Sequence, residues 1–248
     1  MKKLVVANWK MHDSPEEALW LARAIKRKVG KSGAEVVVCA PSPLTSLLSP
    51  IFAGSSVKVG AQDVSVYESG AHTGEVPARL LKASGVTYVI VGHSERRAMG
   101  ESDEAIAEKM ARVSDVKLIP ILCVGEETRD GGGNHFGVIE RQLRAGLAKV
   151  GKKAPPFVVA YEPVWAIGKK ADDAMNPMEL QETVIFIRKI IVSLFGRSTG
   201  LAAPVLYGGS VEETNVGSLM KEGGMQGFLV GHASLNLKAF VAIVNAVS

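Results

Sequence analysis

The chain has 248 residues, with 29 Lys and Arg against 25 Asp and Glu and a formal net charge of +4. At this length roughly 70% of the unfolded surface is buried on folding, so a core forms without a disulfide or metal staple. The basic residues are spread along the chain with no basic-aromatic block, which excludes the usual footprint of a nucleic-acid binder.

No apolar run approaches the ~18 residues of a membrane span. Met1-Lys2-Lys3 mimics the start of a signal peptide, but Asn8-Trp9-Lys10 cuts the apolar stretch short. Cys39 and Cys123 lie inside apolar runs and read as buried, inert thiols. The expectation is a soluble, cytoplasmic protein with no nucleic-acid or membrane partner.

Eight short β-branched runs recur, at residues 4–7, 36–40, 57–61, 88–91, 117–123, 157–161, 204–207 and 227–230. Each is followed by helical signals, an alternation that predicts βα units and a parallel sheet. Counting glycine as apolar and leaving tyrosine out gives about 56% apolar residues, above the usual 45–50%. That excess suits strands buried on both faces. Ser14-Pro15-Glu16-Glu17 is a capping box with proline at the first helical position, and Ala18, Ala22, Ile25 and Val29 form the stripe behind it. Ile139, Leu143, Leu147 and Val150 form another. A third helix starts at Asn176-Pro177, carries Leu180, Val184, Ile187, Ile191 and Leu194, and ends at Gly196. Leu237, Phe240, Val241 and Val244 close the chain.

Eight such units in about 250 residues match one (β/α)8 barrel domain over residues 1–248. A doubly wound open sheet would place a glycine-rich phosphate loop after an early strand, and none follows residues 4–7. Two connections are long. Residues 63–78 hold glycines, a proline and few apolar anchors. Residues 125–135 contain Gly131-Gly132-Gly133, which follows a polar stretch rather than a strand and reads as a flexible surface loop.

In a parallel barrel the active site lies where the strands end. Those tips present Asn8-Trp9-Lys10, Gly92-His93-Ser94-Glu95, Glu162-Pro163-Val164-Trp165, Gly208-Gly209-Ser210 and Gly231-His232. A cation, an imidazole, a carboxylate and two small-residue turns thus converge on one mouth. Singly, Lys10 reads equally as a solvated loop lysine and His93 as a helix-capping residue. Glu162 stands between two apolar runs, surroundings that favour a general base. Gly208-Gly209-Ser210 precedes a helical stretch, so its peptide N–H groups can approach a phosphate; the plain alternative is a tight turn. No Walker A, no H-E-x-x-H and no paired His or Cys at metal spacing occurs.

Asn8-Trp9-Lys10, GHSERR at 92–97, YEPVWAIG at 161–168 and YGGSV at 207–211 together resemble the motifs of the triosephosphate isomerase family. Further similarity runs through Gly60-Ala61-Gln62-Asp63, Thr73-Gly74-Glu75, residues 123–126 and Leu229-Val230-Gly231, in order and spacing over nearly the whole chain. The resemblance implies a glycolytic and gluconeogenic aldose-ketose isomerase that interconverts dihydroxyacetone phosphate and glyceraldehyde 3-phosphate without cofactor or metal. It makes Glu162 the base that moves a proton between two carbons, and neutral His93 the group that polarises the carbonyl, which are this family's own roles. Lys10 would stabilise the enediolate and the phosphate, Asn8 orient Lys10 and substrate, and Glu95 buttress the site. Peptide N–H groups of Gly168, Ser210, Gly231 and His232 would bind phosphate. Pro163 and Trp165 would belong to the first hinge of a lid over 163–174, and Ile167 with Leu229 would clamp the base. A homodimer is implied, with loop 63–78 of one subunit beside Lys10 and Glu95 of the other.

Three positions depart from the family. His232 stands where glycine is usual, which a backbone with positive φ would resist. His72 replaces an aromatic residue. Residues 169–176 lack the usual glycine, leaving the second lid hinge undefined. Two other readings stay open: a different phosphosugar enzyme using Lys10 as a Schiff-base nucleophile, and an inactive barrel retained for binding. The intact Lys10, His93 and Glu162 argue against the last.

Overall fold

In β1 (Leu4–Asn8), Leu4 and Val6 pack with one cluster of side chains and Val5 and Ala7 with another, and all four are buried. In β2 (Glu35–Ala40), Val37 and Cys39 join the inner cluster while Val36, Val38 and Ala40 pack outward. Burial on both faces is why these runs are continuously apolar rather than alternating. The computed structural model describes residues 3–29, 32–151, 156–169 and 174–248.

The remaining strands are β3 (Val57–Ala61), β4 (Val86–Val91), β5 (Ile119–Val124), β6 (Val158–Tyr161), β7 (Val205–Tyr207) and β8 (Gly227–Val230). All pair in parallel in chain order, and β8 returns to β1 to close the barrel. The expected (β/α)8 barrel is therefore present, with each predicted run on a strand. β5 starts later than its apolar run, because Lys117 (φ 61°) turns the chain and its N–H donates to Ser114 O. The register shifts between Val59 and Gly60. A Cβ on Gly60 would stand 2.3 Å from Cys39 Sγ, so the inner packing there requires glycine.

α1 (Pro15–Val29) opens with the Glu17 N–H donating to Ser14 Oγ (3.2 Å), and it buries Ala18, Ala22, Ile25 and Val29 as predicted. Acidic residues lie in its first turn and basic ones in its last, complementing the helix dipole. α2 (Ser42–Phe52) and α3 (Ala78–Ala83) follow β2 and β3, and α4 (Ser94–Ala98) and α5 (Asp103–Asp115) follow β4. α6 (Asn134–Leu147) buries Ile139, Leu143 and Leu147. α7 (Pro177–Ala202) is capped by Asn176 Oδ1, which accepts from Met178 N–H, and it breaks at Gly196 (φ 81°, ψ 168°).

Leu194, expected on the buried stripe of α7, is exposed. Its neighbour Phe195 packs against the core instead, with its ring 5.7 Å from that of Phe157 before β6, so the buried stripe passes through position 195 rather than 194. α8 (Val216–Glu222) and α9 (Leu237–Val247) complete the outer layer, with Phe240 and Val244 of α9 buried and Leu237 and Val241 partly so.

Both long loops have internal order. Loop 63–78 is closed at its base by the Ser65 N–H donating to Val76 O (2.9 Å), with Val64 and Ser65 buried. Its tip carries the Tyr67 ring stacked on His72 at 3.4 Å. Before α6, the Asp130 carboxylate accepts from the Gly132 and Asn134 N–H groups. Among the described residues, no helix is long and apolar enough to cross a membrane.

Candidate active site

Asn8 ends β1, and its Oδ1 accepts from the Lys10 N–H (3.1 Å). That bond helps hold Lys10 at φ 49°, a left-handed conformation costly for a side chain with a Cβ. Gln62 fixes it from outside: its Nε2 donates to Lys10 O (2.8 Å) and to Cys39 O (3.0 Å). The lysine is thereby aimed, and its Nζ meets Glu95 Oε1 at 2.5 Å. Burial pushes the Glu95 carboxyl up, but the Lys10 hydrogen bond and charge, with His93, outweigh it and hold the carboxyl below its ordinary range.

His93 caps α4. Its Nδ1 accepts from the Glu95 N–H (3.2 Å), so the ring proton of the neutral tautomer lies on Nε2. That Nε2 stands 3.3 Å from Glu162 Oε1. Glu162 follows β6 and is 2% exposed, and its other oxygen accepts from the Ser94 N–H (3.1 Å). Two glycines make room for it. A Cβ on Gly208 would stand 2.8 Å from Glu162 Cγ, and one on Gly125 would overlap the Glu162 carbonyl.

On the opposite side the mouth is made of turns. A Cβ on Gly209 would enter the Tyr207 ring. Ser210 Oγ lies 2.9 Å from Ala166 O and 2.7 Å from Lys169 O, tying the β7 turn to the segment after β6. Gly168 has φ 73°, and Gly231 lies beside Lys10. His232 opens a 3-10 turn (His232–Leu235) and is outside the left-handed region, so the side chain at this position is carried without backbone strain.

Asn8, Lys10, His93, Glu162, Ile167, Gly168, Ser210, Leu229, Gly231 and His232 line one cavity of about 360 Å³. Glu95 reaches it through Lys10, and Pro163 and Trp165 stand beside it. Pro163 leads into a 3-10 turn (Val164–Ala166). Trp165 Nε1 and Tyr161 OH both donate to one oxygen of buried Glu126, at 2.9 Å each. Burial, then the Glu126 charge, pushes the Tyr161 phenol up. Farther along, the Met175 N–H faces the Tyr207 phenol at 3.4 Å, and burial pushes that phenol up to about 12. Residues 170–173, where much of the second lid hinge falls, lie outside the described residues.

Gln62, Ser94 and Glu126 received no role from the sequence. Their signal was position: each stands within two residues of a strand's C-terminal end or at the helix start that follows one. Among the described residues, no group of three or more His, Cys, Asp or Glu is placed to hold a metal.

A family model for triosephosphate isomerase matches residues 3–247. Triosephosphate isomerases from Moorella thermoacetica and Bdellovibrio bacteriovorus are 41% and 42% identical to this chain, covering 98% and 99% of it and 98% and 100% of their own lengths. The solved triosephosphate isomerase from Bartonella henselae superposes with a TM-score of 0.88 at 31% identity over 99% of both chains. A barrel with a buried carboxylate facing an imidazole, matched end to end by these relatives, leaves one assignment: the chain belongs to the triosephosphate isomerase family.

Proposed function

We propose that Glu162, His93 and Lys10 carry the interconversion of dihydroxyacetone phosphate and D-glyceraldehyde 3-phosphate, the isomerase activity that family membership gives this chain. The observation that carries the residue assignment is the buried Glu162 carboxylate 3.3 Å from His93 Nε2 on the cavity wall.

The Glu162 carboxylate takes a proton from C1 of the ketose while the His93 N–H donates to the carbonyl oxygen on C2. The same carboxyl then returns the proton to C2, and the ring collects the proton from the oxygen on C1. Every proton is returned and no electron leaves, so the net reaction is isomerisation. A neutral imidazole suits this role because it can both give and take a proton at one nitrogen. Lys10 places positive charge beside the enediolate, a preorganised electrostatic contribution. Because Ser94 N–H holds Glu162 against the β4 side, binding of substrate has to exchange that bond for the carbon acid.

The peptide N–H groups of Gly168, Ser210, Gly231 and His232 hold the phosphate. Closure of the lid over 163–174, with Ile167 set against Leu229, excludes water from the enediolate. The reading assigns the protein to the cytoplasm, in glycolysis and gluconeogenesis.

The active form is a homodimer. The connections after β1, β3 and β4 expose Met11 (93%), Tyr67 and Met99 (82%), and α2 after β2 exposes Leu47, apolar side chains that a second copy would cover. A two-fold contact would set loop 63–78 beside the partner's mouth. Light scattering at micromolar concentration should give twice the chain mass; an active monomer would sink this arrangement.

A coupled dehydrogenase assay tests the reaction. Wild type should turn over glyceraldehyde 3-phosphate. Glu162→Asp, which withdraws the carboxylate by about one methylene, should lose roughly 10²- to 10³-fold in kcat with little change in KM. Full activity in that variant removes Glu162 from the mechanism, and borohydride trapping of Lys10 on substrate would favour Schiff-base chemistry instead.

A further inference from the structure

We infer that the imidazole of His232, beyond its peptide N–H, binds the substrate phosphate and contributes more to that binding as pH falls. The inference rests on the phosphate reading above and adds a charged side chain to it.

His232 immediately follows Gly231 at the end of β8 and lines the cavity. Its residue is exposed, and among the described residues its ring has no hydrogen bond or ion pair. The other charged or titratable groups lining the cavity are accounted for. Lys10 is paired with Glu95, and a Cβ built on Gly231 would lie 4.0 Å from its Nζ. Glu162 and His93 face one another. Lys169 on the lid and Glu212 after β7 are exposed and of opposite sign. A phosphate held at the Gly231 N–H would therefore lie beside Lys10, and the adjoining residue on the cavity wall, His232, carries a ring with no partner of its own among the described residues.

A phosphate monoester loses its second proton near pH 6, so it is a dianion through most of the neutral range. Histidine changes charge in the same interval, and a neighbouring dianion favours its charged form. An imidazolium donates a charge-assisted hydrogen bond, stronger than the one a neutral ring can offer. Because the residue is exposed, water and salt screen the interaction, and the effect should be several-fold rather than hundreds-fold.

The test compares wild type with His232→Gln, which keeps a neutral donor, and His232→Gly, which leaves only the peptide N–H. KM for glyceraldehyde 3-phosphate and the competitive Ki of inorganic phosphate are measured from about pH 6 to about pH 8.5. The ligand and the rest of the site are common to all three proteins, so the variant-to-wild-type ratio isolates position 232. Both constants should rise about 3- to 10-fold in the variants near pH 6, with the gap closing towards pH 8.5 and narrowing in high salt. Equal constants at every pH, or a gap that does not move with pH, overturns the role of the imidazole. Failure of inorganic phosphate to compete in wild type would overturn the phosphate reading itself, a result distinct from parity among the three.

Discussion

After β3 and β4 the chain presents charged side chains that hold one another. Asp63 meets Arg96 at 2.9 Å and Lys109 at 2.7 Å, Arg96 meets Glu101 at 3.1 Å, and Lys109 also bonds Glu101. After β6 and β7 it presents Gly168, whose φ is 73°, and Gly208 and Gly209, where a Cβ would crowd Glu162 Cγ and the Tyr207 ring. The first half is positioned by what its residues attract, and the second by what they lack. Damage to the first should therefore register in stability, and damage to the second in turnover.

The larger expected effect is on the charged half. Burial pushes the Glu101 carboxyl up, but Lys109 and then Arg96 outweigh it and hold it below its ordinary range. Glu101→Gln leaves nearly buried Lys109 with Asp63 alone, at a cost of about 2 kcal/mol in stability near neutral pH. A carboxyl depressed in the folded state contributes fully above its unfolded value near 4.3 and loses that contribution as pH falls through the folded value. Urea unfolding at fixed protein concentration should show the gap at pH 7 shrinking below about pH 4. Equal midpoints at pH 7 would mean the network is not holding this half together.

The smaller effect sharpens the other side. Gly208→Ala would place a methyl 2.8 Å from Glu162 Cγ. A shift of a fraction of an ångström in the base should lower kcat about tenfold while KM stays close to wild type. An unchanged kcat would show that the turn yields instead of the carboxylate.

The two halves also differ in how much of them the sequence displays. Strand runs were legible because burial on both faces keeps them mostly apolar, without interruption at Val36, Val37 and Val38. Lys10, His93 and Glu162 stood out as polar residues at strand tips, but it was the family resemblance that singled out their roles. Gln62 was visible as a residue and silent as a function: its partners are the carbonyls of Lys10 and Cys39, which only the strand order brings to it. Glu126 is similar, since its partners Tyr161 and Trp165 belong to the next βα unit. Gly208 could be read as a turn, but its reason lies in the nearness of Glu162, a distance no spacing encodes. Leu194 failed in the other direction, because positions three and four after Ile191 fit the helical period equally and Phe195 takes the core-facing one.

The left-handed backbone at Lys10 has a consequence for how this sequence can drift. A non-glycine residue in that conformation costs about 1 kcal/mol or more, and the Asn8 and Gln62 side chains hold it there, Gln62 while also bonding Cys39 O. Selection for thermal robustness alone would relax this corner, for instance by placing glycine at position 10, and would discard the ammonium in doing so. The strained lysine is thus a point where durability and turnover pull the same codon in opposite directions. Its persistence here, together with the two amides that hold it, is what a chain still selected for its chemistry would retain.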